Sequence, residues 1–213
     1  MWDILFDFLL PRRSITGVAG VWITDEERKA LRSFPVRLEQ NVLRERGIHF
    51  VDRLVAGSTY DHSPYLRSVL HLFKYGRVRV LAQDLGLLLV NALPVLPIPE
   101  GSVLCPVPRH VLRRVSRGFN QADLLARVVA KASGLPYDQM LRRSRATGHQ
   151  AWRSKEERKT ALAKAFRCAV PVVPRSVILI DDIATTGATL DACAEVLKAA
   201  GAERVAALVV ACA

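Results

Sequence analysis

Two adjacent carboxylates, Asp181 and Asp182, stand at the end of a fully apolar run, Val177–Ile180. They are followed by a chain of small and hydroxyl-bearing residues: Ala184, Thr185, Thr186, Gly187, Ala188 and Thr189. Small residues let several backbone N–H groups converge on one point without side chains in the way. The hydroxyls add donors, and a helix starting near Ala188 would turn its positive end toward an anion. Alone, this loop is a phosphate cradle. Two acids beside it would repel a bare phosphate, so they must bind donors attached to the phosphate, and the vicinal hydroxyls of a sugar fit that need. A phosphorylated ribose satisfies both halves. The Gly-Lys-Ser/Thr of a P-loop is absent, which excludes that kind of nucleotide site.

Such a site needs a strand ending in the acids, a helix starting after the loop, and neighbours that hold both. Val177–Ile180 supplies the strand. A helix over about Ala188–Ala200 carries Leu190, Cys193, Ala194 and Leu197 on one face, with Gly201 past its end. Val205–Val210 and Ser102–Val107 are further strand candidates, and a helix is expected near Asn120–Ser133, stopping at Gly134. Apolar strands alternating with helices predict an α/β fold with a central, mainly parallel sheet flanked by helices. Ligands of such sheets bind beyond the carboxyl ends of strands, and the turn after Val107, with Pro108 and Arg109, lies beyond a second such end.

Upstream, Ser63 and Pro64 open a helix with Leu66, Val69, Leu70 and Phe73 at helical spacing. A second helix follows, with Leu81, Leu85, Leu88, Leu89 and Ala92 on one face, and Pro94–Pro99 is a connector. Phe50–Ala56 reads as a strand broken off by Gly57-Ser58-Thr59. Thr24 caps a short helix with Asp25, Glu26 and Glu27 in its first turn, and Thr24–Gly47 as a whole reads as peripheral. Met1–Leu10 reads as a short amphipathic helix, with Trp2, Leu5, Phe6 and Leu9 on one side.

The stretch from Val177 to Leu190 resembles the phosphoribosyl-pyrophosphate motif of type I phosphoribosyltransferases. The resemblance implies that Asp181 and Asp182 hold the ribose 2′- and 3′-hydroxyls, while residues Thr185–Thr189 hold the 5′-phosphate. Cys105-Pro106-Val107-Pro108, then Arg114, Arg117-Gly118-Phe119-Asn120-Gln121, resemble the signature of the ComF-like branch. So do Arg143, Arg145, Thr147, Gln150, Arg158 and Ala165-Phe166 farther on, and Leu66-Arg67 with Phe73-Lys74-Tyr75-Gly76 upstream. The chain departs from the family twice. Pro11-Arg12-Arg13-Ser14 stands where members commonly begin a zinc-binding cysteine cluster, and Ala161 replaces an Asn.

By this resemblance residues 60–213 form a phosphoribosyltransferase domain of the type I fold, and residues 1–59 a small N-terminal appendage and hood. The implied substrate is phosphoribosyl pyrophosphate with Mg²⁺, and the implied reaction is transfer of phosphoribosyl to an unidentified nitrogen nucleophile, a nucleobase or an amine. Asp181, Asp182 and Arg145 are the implied catalytic residues. Ala184, Thr185, Thr186, Gly187, Ala188, Thr189, Pro108, Arg109 and Arg117 join the two acids in binding. Mg²⁺ is expected to bind through the substrate, with Asp181 and Asp182 the protein groups nearest to it. Segment Arg142–Arg158 has the polar, aperiodic look of a lid and contains His149, Gln150 and Arg153.

Composition leaves a second reading open. The 213 residues include 31 basic and 20 acidic side chains, a net charge of +11. Such a field suits a polyphosphate substrate or a nucleic acid, so a DNA-uptake or nucleic-acid-binding accessory is the alternative. No helix-turn-helix, finger or basic strip interleaved with aromatics is visible in the sequence. Four scattered cysteines encode neither a zinc knuckle nor a redox pair and suit a reducing cytoplasm. The most apolar stretch, Leu85–Ile98, is broken by Asn91, Pro94 and Pro97 and is shorter than the roughly 20 residues of a membrane span. A homodimer is left open.

Overall fold

The computed structural model describes residues 12–61, 64–76, 78–109, 118–143 and 165–213. In chain order these form helix α1 (Asp25–Ala30), strand β1 (Val36–Leu38), α2 (Gln40–Glu45), β2 (Arg53–Thr59), α3 (Pro64–Tyr75) and α4 (Leu81–Ala92). A short 3₁₀ turn (Leu93–Val95) leads to β3 (Val103–Pro106), α5 (Gln121–Ser133), β4 (Leu141–Arg143) and β5 (Phe166–Cys168). The chain closes with β6 (Ser176–Ala184), α6 (Ala188–Ala199) and β7 (Arg204–Cys212).

Five strands make one sheet in the order β1-β2-β7-β6-β3. The β2–β7, β7–β6 and β6–β3 pairs are parallel, and only the edge pair β1–β2 is antiparallel. Alternation along β6 divides the core. Ile178 and Ile180 pack with Leu70, Phe73, Leu85, Leu89 and Leu125 of α3, α4 and α5. Val177 and Leu179 face the other way, toward Leu190, Cys193 and Leu197 of α6. The antiparallel pair β4–β5 also packs on α6. The expected α/β sheet, mainly parallel and covered on both faces, is the one observed.

Three local expectations are corrected. The apolar strand does not stop before the acids: β6 runs on to Ala184, because β7 continues beside it and pairs Asp181 with Val209 and Ile183 with Ala211. Gly57-Ser58-Thr59 is no break, since the ladder holds Ser58 opposite Ala211 and Thr59 opposite Cys212. Residues 24–47 are more than peripheral. They supply the edge strand β1, and Leu31 and Leu43 are buried in the two cores. The expected cap at Thr24 is present and reciprocal: Thr24 Oγ1 accepts from Glu27 N, and Glu27 Oε2 accepts from Thr24 N. The boundary placed at residue 59 falls at the end of β2, a strand hydrogen-bonded inside the main sheet. The N-terminal helix expected over Met1–Leu10 and the Ser63 cap lie outside the described residues. No described helix is long and apolar enough to cross a membrane.

Helices α4 and α5 approach so closely that a Cβ on Gly86 would lie 2.5 Å from Val128 Cγ1 and 2.7 Å from its Cβ. Gly86→Ala gains about 1 kcal/mol of helix propensity. Against that, overpacking costs about 1–3 kcal/mol, and β-branched Val128 has little rotamer freedom in a helix. The overlap should win, lowering the urea midpoint by the equivalent of about 1–2 kcal/mol. Adding Val128→Ala should recover part of the loss. A Gly86→Ala protein as stable as its parent would show that the two helices separate freely.

Candidate active site

The pleat that divides the core also separates the acids. Asp181 follows Leu179 in register and faces α6, while Asp182 follows Ile180 and faces α3 and α5. Strand β3 pairs with β6 only as far as Pro106–Ile180, after which Val107 N makes one more bond to Ile180 O. From Asp181 onward β6 therefore has a neighbour on its β7 side alone among the described strands. The β3 chain diverges at Val107-Pro108-Arg109, leaving a crevice at the carboxyl edge of the sheet, where open α/β sheets bind ligands.

Asp182 is only 5% exposed, a costly place for a charge without partners. It has two. Lys74 Nζ from the end of α3 lies 3.2 Å from Oδ1, and Arg109 Nη2 from the turn after β3 lies 3.3 Å from Oδ2. Asp181 Oδ1 accepts the backbone N–H of Asp182 at 2.8 Å. Burial and the neighbouring Asp182 charge push the Asp181 carboxyl well up, to about 7, against the opposing pull of that N–H, Lys74 and Arg109. Strained ionisation of this kind is typical of functional clefts.

Beyond the acids, Thr185, Thr186 and Gly187 form the loop, and Ala188 and Thr189 open α6. Together with Asp181, Ala184 and Leu190 they line a cavity of about 50 Å³, the scale of a single small anionic group. Gly187 holds the N-cap position in the left-handed region, φ 70°, and no side chain caps the helix. Gly187 as N-cap thus offers the first turn of α6 no side-chain acceptor, and of the N–H groups there Ala188 N donates to Thr186 Oγ1 at 3.4 Å. Behind the loop, Asp191 Oδ1 accepts from three successive backbone donors, His49, Phe50 and Val51, at 2.9, 2.6 and 3.3 Å. This pins the turn before β2 to α6 and seats Ile48 against Gly187.

Two amides tie the crevice walls together. Asn120 Nδ2 donates to Val107 O, and the fully buried Gln121 donates from Nε2 to Phe73 O, each at 3.1 Å. The rings of Phe73 and Phe119 meet at 5.9 Å. The structure thus brings Asp181, Asp182, Pro108, Arg109 and the 184–189 loop to one edge of the sheet. Arg114, Arg117, Arg145, His149, Gln150, Arg153 and Arg158 lie outside the described residues. Lys74, Gln121 and Asp191 were not assigned roles from sequence, although Lys74 and Gln121 both sit in family segments.

A larger cleft, about 700 Å³, opens at the opposite edge of the sheet, where Arg53, Ser176 and Arg204 begin their strands. Two of its lining acids are already paired, Glu39 with Arg53 and Asp52 with Lys198. Its polar groups do not converge as those around Asp182 do.

Residues 116–213 match the phosphoribosyl transferase domain family. The DNA utilization protein YhgH of Salmonella typhi is 36% identical over 160 residues, covering 72% of this chain and 69% of its own. Competence protein F of Haemophilus influenzae is 34% identical over 114 residues, covering 52% and 49%. Competence protein ComFC of Streptococcus pneumoniae is 32% identical over 99 residues, covering 46% and 43%. Among solved structures, the allosteric regulatory enzyme of purine biosynthesis aligns over 62% of this chain and 26% of its own, at 22% identity and a TM-score of 0.42.

Proposed function

The chain belongs to the ComF-like family of type I phosphoribosyltransferases, and from that membership we propose that it binds phosphoribosyl pyrophosphate with Mg²⁺ and transfers the phosphoribosyl group to a nitrogen nucleophile. One observation carries this reading: two adjacent carboxylates, a glycine-capped helix N-terminus and two cations meet at one carboxyl edge of the sheet. The 5′-phosphate fits the Thr185–Thr189 cavity, and the ribose hydroxyls donate to Asp181 and Asp182. The diphosphate lies toward the Arg109 turn.

In the transfer, the C1–O bond to diphosphate breaks and diphosphate leaves with the electron pair. The nitrogen forms the C1–N bond and gives up its proton to solvent or to a nearby base. Positive charge develops on the ribose ring, and Asp181 and Asp182 on the hydroxyls below it oppose that charge. Holding the ring at both the phosphate and the hydroxyls limits the geometries from which C1 can be approached. Oxygen donors such as these carboxylates suit a hard divalent cation, and Mg²⁺, when bound, would offset charge on the leaving diphosphate. Among the described residues no three His, Cys, Asp or Glu side chains cluster to cage a metal.

Calorimetric titration of phosphoribosyl pyrophosphate with Mg²⁺ into the parent protein and an Asp181→Asn/Asp182→Asn double variant tests this. The parent should show saturable binding. Losing two charge-assisted acceptors, each worth about 1.5–3 kcal/mol, should weaken it by roughly 100-fold or more. A well-folded parent that takes up no ligand would overturn the assignment.

A second reading, DNA binding, is favoured by one surface feature. On the outer face of α3, Arg67, which also pairs with Asp61, lies 5.1 Å over the Tyr60 ring, and His71 meets the 61%-exposed Tyr75 at 4.7 Å. Stacking rings interleaved with cations suit single-stranded nucleic acid. The sequence hides this pattern because Tyr60 comes from the end of β2. Single-stranded oligonucleotide affinity that falls steeply with salt would support it; no detectable binding at low salt would dismiss it.

A further inference from the structure

Lys74 comes from the first half of the chain, far in sequence from both the acids and the β3 turn, yet it is held in place with care. Phe73, next to it, is fully buried and meets the Phe119 ring. The Phe73 carbonyl accepts the amide N–H of Gln121, which sits in the first turn of α5. The end of α3 is thus fastened to the helix that follows the Arg109 turn. Fixed in this way, Lys74 and Arg109 occupy opposite oxygens of one carboxylate, 3.2 and 3.3 Å away. All three side chains are mostly withdrawn from water, with 21%, 17% and 6% of their surface exposed.

This arrangement conflicts with the task assigned to Asp182. A carboxylate that receives ribose hydroxyls must share its oxygens with them, and here each oxygen already carries a cation that competes for it. Lys74 and Arg109 also bring two positive charges to a crevice largely withdrawn from solvent, where they can meet an anion. Resting on the phosphoribosyl pyrophosphate reading above, we propose that Lys74 and Arg109 are ligands of the diphosphate group and that Asp182 holds both of them until that group binds. Binding is then an exchange. The two cations turn from Asp182 to the diphosphate oxygens, and Asp182 takes ribose hydroxyl donors in their place. No proton or bond changes hands in this step. A ligand carrying both a diphosphate and a ribose completes the exchange, whereas either half alone completes only one side of it.

The exchange predicts opposite responses from one substitution. Removing the Asp182 charge frees the cations, so Asp182→Asn should bind inorganic pyrophosphate about tenfold more tightly than the parent, without Mg²⁺. The same variant should bind ribose 5-phosphate at least about tenfold more weakly. Lys74→Met should show the reverse: pyrophosphate weakened about tenfold, ribose 5-phosphate changed by less than about twofold. Lys74→Arg, which keeps the charge and much of the packing, should retain most of the pyrophosphate affinity and serves where the Met variant melts early.

All four proteins can be titrated with each probe in one calorimetric series. Pyrophosphate weakened by Asp182→Asn as much as ribose 5-phosphate would overturn the exchange, as would Lys74 variants that bind pyrophosphate like the parent. A parent that binds ribose 5-phosphate but no pyrophosphate would overturn it too while leaving the ribosyl site intact. A parent that binds neither ribose 5-phosphate nor phosphoribosyl pyrophosphate would instead overturn the underlying assignment.

Discussion

Gly187→Val is expected to destabilise the protein by about 3–5 kcal/mol and to abolish saturable binding of phosphoribosyl pyrophosphate. Two independent penalties meet at this residue. Its φ of 70° lies in the left-handed region, which costs an L-residue about 1–2 kcal/mol and a β-branched one more. A Cβ there would also overlap Ile48 Cδ1 and stand 3.0 Å from Ile48 Cγ1. Ile48 is buried in the core, so its end can turn aside only into packed neighbours, and its backbone cannot draw back because the turn that follows it is pinned to α6 by three N–H bonds to Asp191. Overpacking at such a site costs about 1–3 kcal/mol. Against a typical total stability of about 5–15 kcal/mol, the sum is a large fraction.

The two penalties can be separated. Gly187→Asn tolerates the backbone conformation but not the overlap; Ile48→Ala in the Gly187→Ala chain relieves the overlap but not the backbone. Urea midpoints for these chains should each recover part of the loss. If Ile48→Ala recovers nothing, the close packing behind the loop is not what selects glycine. Binding should suffer in every variant that moves the loop, since the proposed anion site is built from residues 185–189.

The same locality explains what could be read from the sequence. Strand, acids, loop and helix follow one another within residues 177–199, so hydrophobic pattern and residue chemistry sufficed to place Asp181, Asp182 and the loop on one sheet edge. The strand's true end at Ala184 was hidden, since only the partner ladder with β7, which runs on to Cys212, keeps two carboxylates in extended backbone. β1 is three residues long and exists because β2 offers it an edge, so no periodicity announces it. Lys74 was visible as part of a family segment, but nothing in its spacing could say that it faces Asp182 across α3 and β6. Asp191 belongs to no motif that would mark it, and its three backbone partners belong to a turn far upstream. Local chemistry was legible; the partners that hold it in place come from tertiary contact.

Asp181→Asn is expected to stabilise the fold while destroying its ligand site, with a pH dependence that identifies the cause. Burial and the Asp182 charge raise the Asp181 carboxyl from the ordinary range near 3.8 to about 7. Between those values the folded protein holds a proton that the unfolded chain has released. Stability then falls with rising pH, because its slope follows protons bound in the unfolded state minus those bound in the native state. This group's favourable contribution is complete below about pH 4 and is lost by the time pH has risen past about 7. Asparagine keeps the shape, cannot ionise and escapes the loss. The difference in unfolding free energy between variant and parent should therefore be near zero at pH 4, grow through pH 5 and 6, and level off above about pH 7, with the variant the more stable. Other titrating groups are shared by both proteins and largely cancel in the difference. Equal stability at every pH would mean that the carboxylate is not strained and that Asp182 does not oppose its charge. If the stability gain appears together with lost binding of phosphoribosyl pyrophosphate, then the acid at 181 is retained against the interest of the fold, which is the mark of a residue kept for its ligand.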